Sequence, residues 1–248
     1  MDILETHQLS KDFHGFRAVN RVDLRVAEGT VHALVGPNGA GKTTLFNLLT
    51  GFLRPSEGRI MILGQDVAGL PADQISRRGV ARSFQITSLF EQLTLLEHLE
   101  LALQASTALG YRFWRSEKAL RRFREQGLDL LAQVGLDHSA FKLAGSLSYG
   151  QKRALELALA LASSPKLLLL DEPTAGMGLE DVDRTIALIH KVRAGRTVVM
   201  VEHNMSVVAS LADRVTVLQY GSVLVEGSYD EVRQNPQVIT AYLGEAYA

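Results

Sequence analysis

The sequence has no cysteine and a single tryptophan in 248 residues. Without thiols there is neither a disulfide framework nor a thiolate metal site, so any metal ion must be held mainly by oxygen or imidazole. Charge of one sign is also missing: 26 Lys and Arg stand against 27 Asp and Glu, a formal net charge of −1. That balance argues against a global grip on nucleic acid. No apolar run reaches the roughly 18 residues that spanning a bilayer demands. The longest candidate, Leu157 to Leu170, is broken by Pro165 and Lys166. The opening residues Met1-Asp2-Ile3-Leu4-Glu5 lack the basic region and apolar core of a secretory signal, so a soluble, intracellular protein is expected.

What is present is ordinary globular usage, 46% hydrophobic and 21% charged, which excludes a disordered or collagen-like chain. The length fits one large domain, or a core with a subdomain. Loose alternation over the first 30 residues, bounded by Gly15 and Gly29, predicts short strands and turns. Gly58 to Leu63 is a further strand candidate. From about Thr94 to Ala162 the pattern is helical, rich in Leu, Ala, Arg and Glu. Strand and helix then alternate through Leu167–Leu170, Glu180–Arg193, Thr197–Val201, Met205–Ala212 and Val215–Leu218. Such alternation predicts an α/β fold with a largely parallel sheet and crossover helices. The helical stretch from about 88 to 163 is then an insertion between αβ elements.

Gly36-Pro37-Asn38-Gly39-Ala40-Gly41-Lys42-Thr43 has the spacing of a phosphate-binding loop, between an apolar strand (Val31 to Val35) and a helical pattern. Glycines let backbone N–H groups turn inward, and the helix that follows aims its positive end at the phosphates. Lys42 supplies a point charge to the β- and γ-phosphates and Thr43 a hydroxyl to Mg²⁺, with Thr44 as an additional phosphate contact. Downstream, four leucines end in Asp171-Glu172. A wholly apolar run suits a central parallel strand, and ligands bind beyond the carboxyl ends of such strands. Asp171 is expected to steer Mg²⁺ and Glu172 to polarise the attacking water. Neighbouring strand residues point in opposite directions, which separates the two roles.

Leu147-Ser148-Tyr149-Gly150-Gln151 opens a helix running to about Ala162. Ser148 and the free amides of the helix start suit a second anion site, with helix capping by Ser148 as the plainer alternative. With this segment the sequence resembles the ATP-binding cassette (ABC) ATPases, whose signature reads Leu-Ser-Gly-Gly-Gln. The resemblance covers essentially the whole chain. It implies a single P-loop NTPase domain over residues 1–248, in which 1–87 and 164–248 form an αβ core with an N-terminal antiparallel β subdomain. Residues 88–163 would be the inserted α-helical signature subdomain.

By the same resemblance Phe13 stacks on adenine, with Phe16 as alternate and core packing as the plain alternative. Gln85 links Mg²⁺ and water to the helical block, so Thr43, Gln85 and Asp171 form the metal set. Glu172 is the catalytic glutamate, and His203, in Val201-Glu202-His203-Asn204, contacts the γ-phosphate; by itself it would be a structural histidine. Gly36, Asn38, Gly39, Ala40, Gly41, Lys42, Thr43 and Thr44 cradle ATP from one side, and Ser148, Gly150 and Gln151 of a second ATPase subunit, identical or paralogous, close it from the other. Two departures stand out. Tyr149 replaces the usual first signature glycine, and Ala175-Gly176-Met177-Gly178 lacks the usual acid of the dimer-contact loop.

The finer resemblance is to the ATPase subunits of bacterial importers for branched-chain amino acids, urea and short amides. It rests on Leu-Ser-Tyr-Gly-Gln, on Asp171 to Met177, and on the tail Asn235 to Ala246. It implies integral-membrane permease subunits, an indirect link to a solute-binding protein, and a peripheral position on the cytoplasmic face of the cell membrane. No nucleic-acid partner is expected. Leu89 and Phe90 suit docking on a permease, or ordinary packing between subdomains. The basic stretch Arg112, Arg115, Lys118, Arg121, Arg122 and Arg124 suits a solvated helix face, or contact with anionic lipid or an acidic partner. The competing classes are a soluble ABC ATPase of DNA repair or the ribosome, and a module that only senses nucleotide.

Overall fold

The computed structural model describes residues 1–83, 89–106 and 117–243. Gln85, Arg112, Arg115, the side chain of Lys118 and the tail residues Gly244 to Ala246 lie outside the described residues. In chain order the elements are β1 (Asp2–Phe13), β2 (Phe16–Ala27), β3 (Val31–Val35), α1 (Lys42–Leu49), β4 (Glu57–Ile62), β5 (Gln65–Asp66), α2 (Ala72–Ser76) and β6 (Val80–Ser83). Next come α3 (Leu95–Ser106), α4 (Glu117–Gln133), α5 (Tyr149–Leu161), β7 (Leu167–Asp171), α6 (Leu179–Val192) and β8 (Thr197–Val201). The chain continues with α7 (Met205–Leu211), β9 (Arg214–Gln219), β10 (Ser222–Gly227), α8 (Tyr229–Gln234) and α9 (Pro236–Leu243).

Two sheets carry the fold. The first is antiparallel, in the order β2-β1-β4-β5. Where alternation predicted short strands, β1 and β2 are twelve residues each. Their pairing shifts register repeatedly, and Gln8 and Arg21 take left-handed backbone at φ 49° and 47°. Each bulge sends the next side chains to the other face, so a long strand carries no clean period-two pattern.

The second sheet runs β10-β9-β3-β8-β7-β6, parallel except for the β9–β10 pair. Every residue of β3, β7 and β8 is buried. The four leucines of β7 are explained by what lies on each side. Leu168 and Leu170 pack into a core with Leu99, Leu131 and Leu155 of the helices between β6 and β7. Leu167 and Leu169 face the other way, toward Phe46 of α1 and Leu24 and Ile60 of the antiparallel sheet. A strand with two apolar faces has no polar position to spare.

Register then places the chemistry. Leu34 pairs with Val201 and Val201 with Asp171, so the carboxyl ends of β3, β8 and β7 lie side by side. That edge is where parallel sheets bind ligands.

One buried titratable group sits in this sheet away from that edge. His32 of β3 is 1% exposed, with Nε2 2.7 Å from the Thr216 hydroxyl. Thr216 in turn donates to Glu226 at 3.2 Å, and Arg214 donates to the same carboxylate at 3.0 Å. Because the one threonine proton goes to Glu226, Nε2–H of a neutral His32 is the donor. Burial pushes the His32 pKa down from 6.5 to about 4, with Glu226 opposing and Arg214 assisting. The folded protein therefore binds this proton more weakly than the unfolded chain, and stability rises with pH. The contribution is complete above pH 6.5 and is lost as pH falls through about 4. Urea titrations should show unfolding free energy dropping by about 2–3 kcal/mol between pH 6.5 and 4.5 on account of this group. His32→Gln should flatten that slope.

Candidate nucleotide-binding site

Between β3 and α1 the chain turns through Gly36 to Gly41 in backbone that only glycine accepts at its two ends. Gly36 has φ 149°, and a Cβ there would lie 2.2 Å from the Leu218 carbonyl oxygen. At Gly41, φ is 98° and a Cβ would meet the Ala18 carbonyl oxygen at 2.5 Å. The loop is thus pressed against β9 and β2, while Asn38 and Gly39 face outward. Ala40 is buried, and its carbonyl accepts the Gly221 N–H at 3.0 Å. Gly41 offers α1 no capping side chain and no acid occupies the helix's first turn, so side chains leave the N-terminal N–H groups to another acceptor. Lys42 bends back over the loop, its Nζ donating to the carbonyls of Gly36 and Pro37, the latter at 2.8 Å. Thr43 is exposed and Thr44 half-buried in the same turn. An open, uncapped helix start with an ammonium above it fits a polyphosphate.

Asp171 ends β7, and its carboxylate lies 2.7 Å from the Arg82 guanidinium; both side chains are almost fully buried. Arg82 also donates to Asn47 Oδ1 at 2.7 Å and to the Thr50 hydroxyl at 3.1 Å on the α1 side. Its guanidinium lies 5.5 and 5.6 Å from the ring centres of Phe46 and Phe52. One arginine therefore joins β6, β7 and α1. The sequence reading passed over Arg82; an arginine facing a carboxylate across adjacent buried strands was the available signal.

Glu172 departs from the expected geometry. The two acids do not diverge by strand alternation, because β7 stops at Asp171. Glu172 instead takes left-handed backbone at φ 45°, its N–H bonded to Val201 O at 2.9 Å. That turn, rather than strand alternation, sets the direction in which its side chain leaves the backbone.

Also missed in the sequence is Glu202, a fully buried carboxylate immediately after β8. One oxygen accepts the Thr174 N–H at 3.2 Å and the Thr174 hydroxyl at 2.6 Å. The other accepts the N–H groups of His203 at 3.0 Å and Asn204 at 3.2 Å. Four donors satisfy one buried charge, and the segment after Glu172 is locked to the backbone of His203. The His203 residue itself is exposed. An acid following an apolar buried strand, as at Asp171, could have revealed it.

Ser148 caps α5: its hydroxyl accepts the Gln151 N–H at 3.3 Å, and Gln151 Oε1 accepts the Ser148 N–H at 3.0 Å. The capping alternative is thus realised, with Ser148 still exposed. Gly150 abuts α6, where a Cβ would lie 3.0 Å from Asp181 Oδ1. Phe13 and Phe16 face each other across the β1–β2 turn, both exposed, with Lys11 Nζ 5.2 Å from the Phe13 ring centre. The β3–β8–β7 edge gathers the loop at Gly36, Asp171, Glu172 and His203. Among the described residues there is no cluster of three or more His, Asp or Glu side chains able to hold a metal. Oxygen donors such as Thr43 and Asp171 fit the way Mg²⁺ is bound, by one or two protein oxygens with phosphates and water.

The sequence profile described as ABC transporter matches residues 19–175, well over half of the chain. This protein belongs to the ABC transporter family. The cassette is an ATPase that binds and hydrolyses ATP. A second profile, described as branched-chain amino acid ATP-binding cassette transporter, matches residues 222–248 of the cassette. It is 42% identical to the high-affinity branched-chain amino acid transport ATP-binding protein BraF of Pseudomonas aeruginosa, covering 98% of each chain. It is 38% identical, with the same coverage, to the corresponding protein LivG of Escherichia coli. Among solved structures, the cassette is similar to the ADP conformation of the ATP-binding cassette MJ1267. The TM-score is 0.88 and the identity 30%, over 98% of this chain and 99% of that one.

Glu202→Gln should be costly in this arrangement. An amide keeps one acceptor oxygen and turns its NH₂ toward donors, so up to two charge-assisted bonds are lost. Urea unfolding is expected to show a loss of about 2–4 kcal/mol.

Proposed function

We propose that this cassette is the ATP-hydrolysing subunit of an importer for branched-chain amino acids, urea or short amides. The relatives' names and the match over residues 222–248 support branched-chain amino acids within that range. The soluble, non-transport alternative gains nothing from them. In this reading two ATPase chains pair beneath integral-membrane permease subunits at the cytoplasmic face, and a solute-binding protein delivers the cargo. No helix among the described residues is long and apolar enough to cross a membrane, so the permease would supply the passage. The lobes are residues 1–87 with 164–248, and the helical segment 88–163.

The single observation that carries the site is the aligned edge of β3, β8 and β7, which delivers the phosphate loop, Asp171, Glu172 and His203 together. Lys42, Thr43, Thr44 and the amides from Gly36 to Gly41 hold the triphosphate, and Phe13 stacks on the base. Mg²⁺, taken by Thr43, Asp171 and Gln85, would neutralise charge on the β- and γ-phosphates. The Glu172 carboxylate accepts the proton of the attacking water, while His203 and Gln85 orient the γ-phosphate end of the site. Ser148, Gly150 and Gln151 of the facing chain complete the pocket. ATP then favours the closed pair because only that form binds it from both sides, and hydrolysis releases it. Phe90, 66% exposed, meets the permease; its N–H is held at 2.9 Å by Nε2 of buried His98.

Glu172→Gln should retain ATP binding while turnover falls by about 10²–10⁴-fold, measured by phosphate release and nucleotide titration. Wild-type turnover would remove Glu172 from the mechanism. Ser148→Arg should abolish turnover and solute flux in the assembled complex, yet leave nucleotide binding by the separate chain intact.

A further inference from the structure

Tyr149 occupies the place where the resemblance leads one to expect glycine, and its side chain is engaged. Its hydroxyl donates to the Ala175 carbonyl at 3.0 Å, across 26 residues of sequence. The Ala175 N–H in turn donates to the Glu172 carbonyl at 3.1 Å. One residue earlier, Thr174 is fastened to Glu202 through both its N–H and its hydroxyl. The ring of Tyr149 is backed by the Arg153 guanidinium, 5.8 Å from the ring centre. The start of α5 also lies close to α6, where a Cβ on Gly150 would come 3.0 Å from Asp181 Oδ1. Ser148, the cap of α5, is thus two hydrogen bonds and one covalent step from the main chain of Glu172.

We propose that Tyr149 is a positioning residue: it ties the signature end of α5 to the turn that sets this chain's own Glu172. Placing Ser148 against a facing copy's nucleotide then also orients Glu172 for the nucleotide on this chain's own loop. A glycine at 149 has no atom to make this connection. Gly176, at φ 75°, makes the left-handed turn beneath the hydroxyl, where a Cβ would sit in ordinary contact with Tyr149 Oη at 3.7 Å. The proposal rests on the paired-site reading given under Proposed function.

Tyr149→Phe removes the hydroxyl and keeps the ring on Arg153. In the purified full chain, kcat for ATP should fall by about 3- to 10-fold, the rate equivalent of one hydrogen bond. KM should stay within about twofold of wild type and Tm within about 2 °C, since the ring packing and the phosphate loop are untouched. A residue that merely packed would move Tm, and one that touched the partner's phosphate would move KM. A wild-type kcat, or a change confined to KM or Tm, overturns the proposal. Ser148→Arg separates the two levels of the argument. Lost turnover in Ser148→Arg with Tyr149→Phe unaffected removes the link alone. Wild-type turnover in both variants removes the paired-site reading as well.

Discussion

The register of three buried strands governs the chemistry of this chain. Leu34 opposite Val201 and Val201 opposite Asp171 bring the ends of β3, β8 and β7 to a common edge. Each strand is buried on both faces, so a slip by one residue would move each side chain to the opposite side of the sheet and carry the acidic end out of line. The four leucines before Asp171 are in that sense part of the site. They decide where the carboxylates stand without touching a ligand.

Polar groups at the edge are held by buried, hydrogen-bonded charge. Arg82 joins Asp171 to α1, and Glu202 joins the turn after Glu172 to the backbone of His203. In a low-dielectric surround such pairs are strongly directional, because an unmatched buried charge is far more costly than a matched one. The loops around them are short and inherit this rigidity. The helical segment is packed on β7 through Leu99, Leu131 and Leu155, and the signature end of α5 adds the contacts made by Tyr149 and Gly150.

Much of this was legible in residue order. The phosphate loop, the apolar strand ending in two acids, and the alternation of strand and helix beyond residue 163 are local patterns, and each lies where expected. Legibility failed where a neighbour distant in sequence supplies the meaning. Bulges at Gln8 and Arg21 hid two long strands, because alternation assumes an unbroken pairing. Glu172 turns aside through left-handed backbone, which strand periodicity cannot express. Arg82 and Glu202 passed unnoticed because their partners, Asp171 at one end and Thr174 at the other, come into reach only after the sheet has formed.

By itself the sequence determined which segment has the spacing of a phosphate-binding loop, which segments are buried strands and to which family the chain belongs, since these depend on residue types at fixed short spacings. Only the tertiary structure decided which charges neutralise one another, that Ser148 caps α5 while staying exposed, and that Tyr149 reaches Ala175. Those contacts join residues up to 89 positions apart in the chain, as between Arg82 and Asp171. Spacing along a chain carries information about a neighbouring turn of helix or the next residue of a strand. Contact across a sheet depends on how the strands pair, and that is settled when the cores close.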